Sequence, residues 1–209
     1  MTSLTFFDYG NAARRTDLKR ATEPSLSFPL LGLFGETGSL LSEVKKKQRD
    51  PVAYIGYEDS VLEELGDALW YLNALTDRAN LTLSDLAINL DCDLANWQTI
   101  RSDALTFAEV ELEPGTRSDG PSKAFEQSSL RLAAEVGLLM TDYHAGRLDQ
   151  NRSALKGRLI GVLRTLRDAA HDAGLSLESA AEANMVKIAD RWPPERVYPP
   201  LFDDAFPEE

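Results

Sequence analysis

Glu36, Ser39 and Glu43 fall three and then four residues apart. On a helix turning about 100° per residue, Glu36 and Glu43 point within roughly 20° of one another. They sit on one flank of an apolar stripe made by Leu30, Leu33, Phe34, Leu40, Leu41 and Val44. Glu64 and Asp67, three apart, flank a second stripe of Val61, Leu65, Ala68, Leu72 and Leu75. Two antiparallel helices that bury these stripes together bring the flanks face to face and gather the carboxylates at one edge. Carboxylates at close range repel and hold protons unless a counter-charge is present. Mg²⁺ suits such a cluster, because it takes a few carboxylates and keeps other positions for water and phosphate oxygens; Mn²⁺ is the alternative. The competing reading is of ordinary solvated helix-face acids, with Lys45 to Lys47 close by as partners.

The elements that must position these side chains read as helices almost throughout. Leu130, Ala133, Ala134, Leu138 and Met140, and later Leu155, Leu159, Val162, Leu163 and Leu166, repeat the three- and four-residue steps. Only Leu105 to Leu112 carries an alternation compatible with a strand. Asp50-Pro51 ends one helix, and a loop through Gly56 precedes the next. Asn80 closes that helix, and Thr82 with Asp85 forms a capping box with Asp in place of Glu. The run from Glu113 to Pro121 is the strongest punctuation in the chain. The expectation is an all-α, four-helix-bundle-like fold, with one half over 1–112, a linker over 113–121 and a second half over 122–209. An acidic, proline-rich tail runs from Trp192 to Glu209.

The two halves align. Ala79-Asn80-Leu81-Thr82-Leu83-Ser84 matches Ala173-Gly174-Leu175-Ser176-Leu177-Glu178, Asn89–Trp97 matches Asn184–Trp192, and Gly35-Glu36-Thr37-Gly38 matches Ala134-Glu135-Val136-Gly137. Three blocks in one order predict a tandem duplication folded as a pseudo-dimer, each half covering the other's apolar face. The acids are unevenly distributed. Glu135 answers Glu36, but Arg158 and Gly161 stand where the first half has Glu64 and Asp67. Conversely, Cys92 and Asn96 stand where the second half has Lys187 and Arg191.

Bulk composition bounds the function. With 34 acidic and 22 basic residues the net charge is −12, the reverse of a nucleic-acid footprint, so no nucleic-acid partner is expected. The single cysteine, Cys92, excludes a disulfide framework and a cysteine-based zinc site, and His144 and His171 are the only histidines. No run approaches the ~20 apolar residues that cross a bilayer, and the start lacks a signal-peptide pattern. A cytoplasmic protein without a membrane partner is the expectation.

Leu31–Ser39 leading through Glu43 into Val44-Lys45-Lys46, Glu63-Glu64-Leu65-Gly66-Asp67-Ala68-Leu69-Trp70-Tyr71-Leu72, and Ala183-Asn184-Met185-Val186-Lys187-Ile188-Ala189-Asp190-Arg191 together resemble the three motifs of the MazG-like all-α nucleoside triphosphate pyrophosphohydrolases. The resemblance implies a MazG-type helical fold and Mg²⁺-dependent splitting of a nucleoside triphosphate into monophosphate and pyrophosphate. It implies Glu36, Glu43, Glu64 and Asp67 as metal-binding and catalytic residues. Asn184, Lys187, Arg191 and Lys46 become substrate contacts, and Trp70 and Tyr71 candidates to stack on the base. Carboxylates from one half and cations from the other would then make one composite site per chain, in a monomeric pseudo-dimer or a homodimer. One departure stands out: the family's second Glu of Glu-x-x-Glu is Ser39 here. The alternative is a catalytically degenerate nucleotide-binding or partner-binding helical protein.

Overall fold

The computed structural model describes residues 3–90, 103–112, 123–148 and 151–191. Cys92, Asn96, the linker 113–121 and the tail from Trp192 lie outside the described residues. Within them the fold is all-α. The helices are α1 (Phe6–Thr16), α2 (Ser27–Arg49), α3 (Tyr57–Arg78), α4 (Leu83–Ala87), α5 (Lys123–His144), α6 (Arg152–Asp172) and α7 (Leu177–Arg191).

α2 and α3 pack as a hairpin, as do α5 and α6; α2 lies on α5 and α3 on α6, so the four long helices close around one core. The apolar stripes supply that core: Leu33, Leu65, Leu69, Leu72, Leu132, Leu139, Leu159, Val162, Leu163 and Leu166 are buried. The outer helices are exchanged between halves. α7 packs chiefly on α3, whereas α4 packs on α6 and α1. α1 lies against α3, α4 and α7.

Local signals act where the residues place them. α2 stops at Arg49, immediately before Asp50-Pro51. Thr82 Oγ1 accepts from the Asp85 backbone N–H (3.1 Å), and Asp85 Oδ2 accepts from that of Thr82 (2.9 Å), completing the capping box. One aligned block, 79–84 against 173–178, shares backbone geometry as well as residues. α3 ends with Asn80 at φ 54° and α6 with Gly174 at φ 73°. The next amide reaches back identically in each: Leu81 N–H to Thr76 O at 2.8 Å, and Leu175 N–H to Ala170 O at 3.0 Å. This is the left-handed helix ending that satisfies otherwise orphaned carbonyls.

Leu105–Leu112 forms no strand. Thr106 makes an isolated antiparallel bridge to Thr5, and Phe107 turns in to stack on Phe6 with ring centroids 3.9 Å apart. Its alternation reflects burial of Leu105, Phe107 and Val110 against α1 and the bundle, not pairing in a sheet. No helix among the described residues is long and apolar enough to cross a membrane.

Candidate active site

α2 and α3 bring the carboxyls of Glu36 and Glu64 together, close enough for one to hydrogen-bond the other when a single proton lies between them. Glu64 is pushed up to about 7 by burial first, then by the hydrogen bond and charge of Glu36 and by the charges of Asp67 and Glu43. Burial likewise raises Glu36, and Asp67 adds to the effect. The pair is half-buried, so desolvation and like-charge repulsion act together.

Asp67, one turn beyond Glu64, is held from α7. Asn184 Nδ2 donates to Asp67 Oδ1 at 2.9 Å, and Lys187 Nζ donates to Asp67 Oδ2 at 2.5 Å and to Glu63 Oε1 at 2.6 Å. Burial alone would lower the Lys187 pKa, but its hydrogen bonds to Asp67 and Glu63 outweigh that and raise it. α7 comes this close because residue 66 is glycine. A Cβ there would meet Ala180 O at 2.8 Å and Asn184 Cβ at 2.9 Å. Gly66 therefore sets the distance at which the second half's polar residues reach the first half's acids.

Glu36, Asp67, Asn184 and Lys187 share a cavity of about 360 Å³. Its polar side carries Glu36, Asp67, Asn184, Lys187 and the exposed Arg191. Its apolar side is built by Trp70 and Tyr71, edge to face at 5.0 Å, with Phe28 and Ile188. Gly32 lets the Tyr71 ring lie against α2, since a Cβ would stand 2.1 Å from Tyr71 Cε1. Trp70 Nε1–H donates to Thr16 Oγ1 at 3.0 Å, which fixes the indole. The turn after α1, from Thr16 to Lys19, closes the far side. It is anchored by a buried bidentate ion pair between Asp17 and Arg78.

Seven of the residues named from sequence thus line the cavity, while Glu64 does not line it and acts on it through Glu36. Glu43 and Lys46 are placed differently. Glu43 is buried, accepts from the Tyr54 hydroxyl, and is ion-paired to Lys46 Nζ at 2.6 Å. The loop after Pro51 brings Tyr54 back over α2, where its oxygen also accepts from the Ser60 hydroxyl at 2.9 Å. Glu43 still adds charge near Glu64 without lining the cavity. Tyr9, the Thr16–Lys19 turn and Phe28 had no motif to mark them. Their only sequence signal is an amphipathic segment before the first motif.

The second half treats the equivalent place in another way. Arg158, aligned with Glu64, donates from Nε to Asp142 Oδ2 at 2.7 Å, and Arg147 joins the same carboxylate. Asp142 stands seven residues after Glu135, as Glu43 does after Glu36. At Gly161, aligned with Asp67, a Cβ would meet Glu135 Oε2 at 2.8 Å. The counterpart locus is therefore neutralised by its own arginines.

As placed, no three acidic or imidazole side chains among the described residues converge as a metal-binding group. The donors nonetheless fit a hard cation chemically: a proton-sharing carboxyl pair with a third carboxylate one turn away is the arrangement a divalent ion would relieve.

No family model matches the chain, and no solved structure matches it. It is similar to the Gene 37 protein of Mycobacterium phage L5, 39% identical over 61 residues, which are 28% of this chain and 54% of that protein. The chain thus spans about half the length of the curated relative it matches.

Proposed function

We propose that the chain is a Mg²⁺-dependent nucleoside triphosphate pyrophosphohydrolase that releases nucleoside monophosphate and pyrophosphate, with one composite site per chain. The observation that carries this reading is the Glu36–Glu64 carboxyl pair beside Asp67, at the polar end of a cavity whose other walls are aromatic. Resemblance to the MazG-like motifs supports it further.

Glu36, Glu64 and Asp67 would hold the metal, which when bound lowers the pKa of water and offsets charge on phosphoryl oxygens. The chain's own residues do the rest. Without metal Glu64 keeps a proton up to about neutrality beside Glu36, and a bound divalent ion would displace that proton and leave both carboxylates as ligands. Lys187 and Arg191 offset phosphate charge, Arg191 through a guanidinium suited to bidentate contact. Trp70 and Tyr71, set edge to face, offer an aromatic corner in which one ring can stack on a base, and the Thr16 hydrogen bond keeps the indole from turning away. Phe28 and Ile188 exclude water from that side.

A second reading, a nucleotide-binding or partner-binding protein without turnover, is favoured by Ser39 in place of a fourth carboxylate and by the ion pair Lys187 makes with Asp67. One experiment separates the two. Pyrophosphate release is measured over a panel of ribo- and deoxyribonucleoside triphosphates with Mg²⁺, beside Glu64→Ala and Asp67→Ala. Release that disappears in both variants establishes the hydrolase and its acids. Nucleotide binding without release by the folded wild type establishes the second reading. Lys187→Ala and Arg191→Ala are expected to weaken nucleotide affinity, and unchanged affinity in both sinks the composite site.

A further inference from the structure

α1 precedes the first repeated block, and one of its residues enters the site from behind. Tyr9 is fully buried, with its ring edge-on to Phe107 at 5.9 Å. Its hydroxyl donates to Asn184 Oδ1 at 3.1 Å, and Asn184 Nδ2 donates to Asp67 Oδ1 at 2.9 Å. A three-residue relay thus runs from α1 through α7 to α3. We propose that Tyr9 is a positioning residue for these acids, its hydroxyl holding the Asn184 amide so that Asp67 keeps its place with Glu36 on the cavity wall. The inference rests on the metal-dependent reading of the site.

The physical case follows from what each group can donate and accept. Asp67 is pulled from two sides: Asn184 holds Oδ1, while Lys187 holds Oδ2 and also reaches the exposed Glu63. Asn184 is buried, so its carbonyl oxygen needs a donor inside the protein, and Tyr9 supplies it. Without that hydroxyl the oxygen is orphaned, and the strain is relieved by turning the amide off Asp67. Asp67 would then follow Lys187 toward Glu63, away from the other acids. Tyr9 keeps its proton at any ordinary pH, because burial and the nearby Asp67 charge raise its pKa well above the usual tyrosine value. It is a permanent donor and not a proton-transfer group.

Tyr9→Phe removes only the hydroxyl and leaves the ring in place. Mn²⁺ affinity, read by water-proton relaxation and independent of turnover, is measured for the wild type, Tyr9→Phe, Asn184→Ala and the double variant. The side-chain amide resonances of Asn184 are followed in parallel. Loss of an outer partner of a ligating carboxylate lowers affinity by about tenfold, so Tyr9→Phe should show that loss together with faster exchange of the Asn184 amide protons. The double variant should bind no worse than Asn184→Ala, because the two residues act through one relay. Wild-type Mn²⁺ affinity in Tyr9→Phe, or losses that add in full, overturns the proposal. If Tyr9→Phe does not fold, Asn184→Ala with wild-type Mn²⁺ affinity overturns it alone. A wild type that binds Mn²⁺ but releases no pyrophosphate refutes the hydrolase while the relay is still decided by these variants. A wild type that binds no Mn²⁺ overturns both.

Discussion

Replacing Glu64 by glutamine keeps the side chain's shape and its capacity to hydrogen-bond Glu36, but deletes its titration. The consequence for stability follows from the raised pKa. In the unfolded chain Glu64 loses its proton near the ordinary value of 4.5, whereas in the folded protein it holds it to about 7. Below pH 4.5 both states carry the proton, so nothing is lost. Between these values the folded state binds more protons than the unfolded one, so stability falls as pH rises. Above about 7 the loss is complete. A shift from 4.5 to about 7 would be worth roughly 3 kcal/mol at a fully buried site. Glu64 is half-buried and solvent screens it, so about 1 kcal/mol is the expected size. The assay is urea unfolding of wild type and Glu64→Gln at pH 5, 6, 7 and 8 in the absence of divalent cations. The variant's advantage should be near zero at pH 5 and reach about 1 kcal/mol by pH 8, and Mg²⁺ should narrow the gap by stabilising the wild type. A stability difference that is flat with pH, or that favours the wild type at pH 8 without metal, refutes the account of the carboxyl pair.

Two further perturbations probe the frame around these acids. Gly66→Ala places a methyl against Ala180 O and Asn184 Cβ, so it should destabilise the fold by about 1–3 kcal/mol and weaken nucleotide binding by moving α7 off α3; calorimetry and titration check the two effects. Arg78→Ala leaves the buried Asp17 carboxylate without its partner and should cost about 3–5 kcal/mol, with a looser Thr16–Lys19 wall seen as a higher KM for nucleotide.

Much of this architecture was legible in the sequence because it depends on near neighbours. Asp50-Pro51, the Thr82–Asp85 cap and the shared endings at Asn80 and Gly174 are local devices whose residues announce them. The carboxylates were legible for the same reason, since helical spacing fixes which side chains share a flank. Contacts between distant segments carried no such mark. Tyr9 meets Asn184 across 175 residues, and Trp70 meets Thr16 across 54. Glu43 satisfied the spacing argument, yet the loop after Pro51 returns Tyr54 to claim its carboxylate. The strand-like alternation of Leu105–Leu112 misled because apolar residues in an irregular segment can alternate simply by packing against a helix.

The exchange of outer helices also sets a clock on the site. Asp67 and Lys187, which meet at 2.5 Å, are 120 residues apart in the chain. At a synthesis rate of about 5–20 residues per second, Asp67 precedes Lys187 on the ribosome by roughly 6–24 s. During that interval the nascent first half holds its acids with no lysine or asparagine from α7 to share them, while α4 has no α6 to cover it. The cavity therefore lacks one of its walls until α7 has been made.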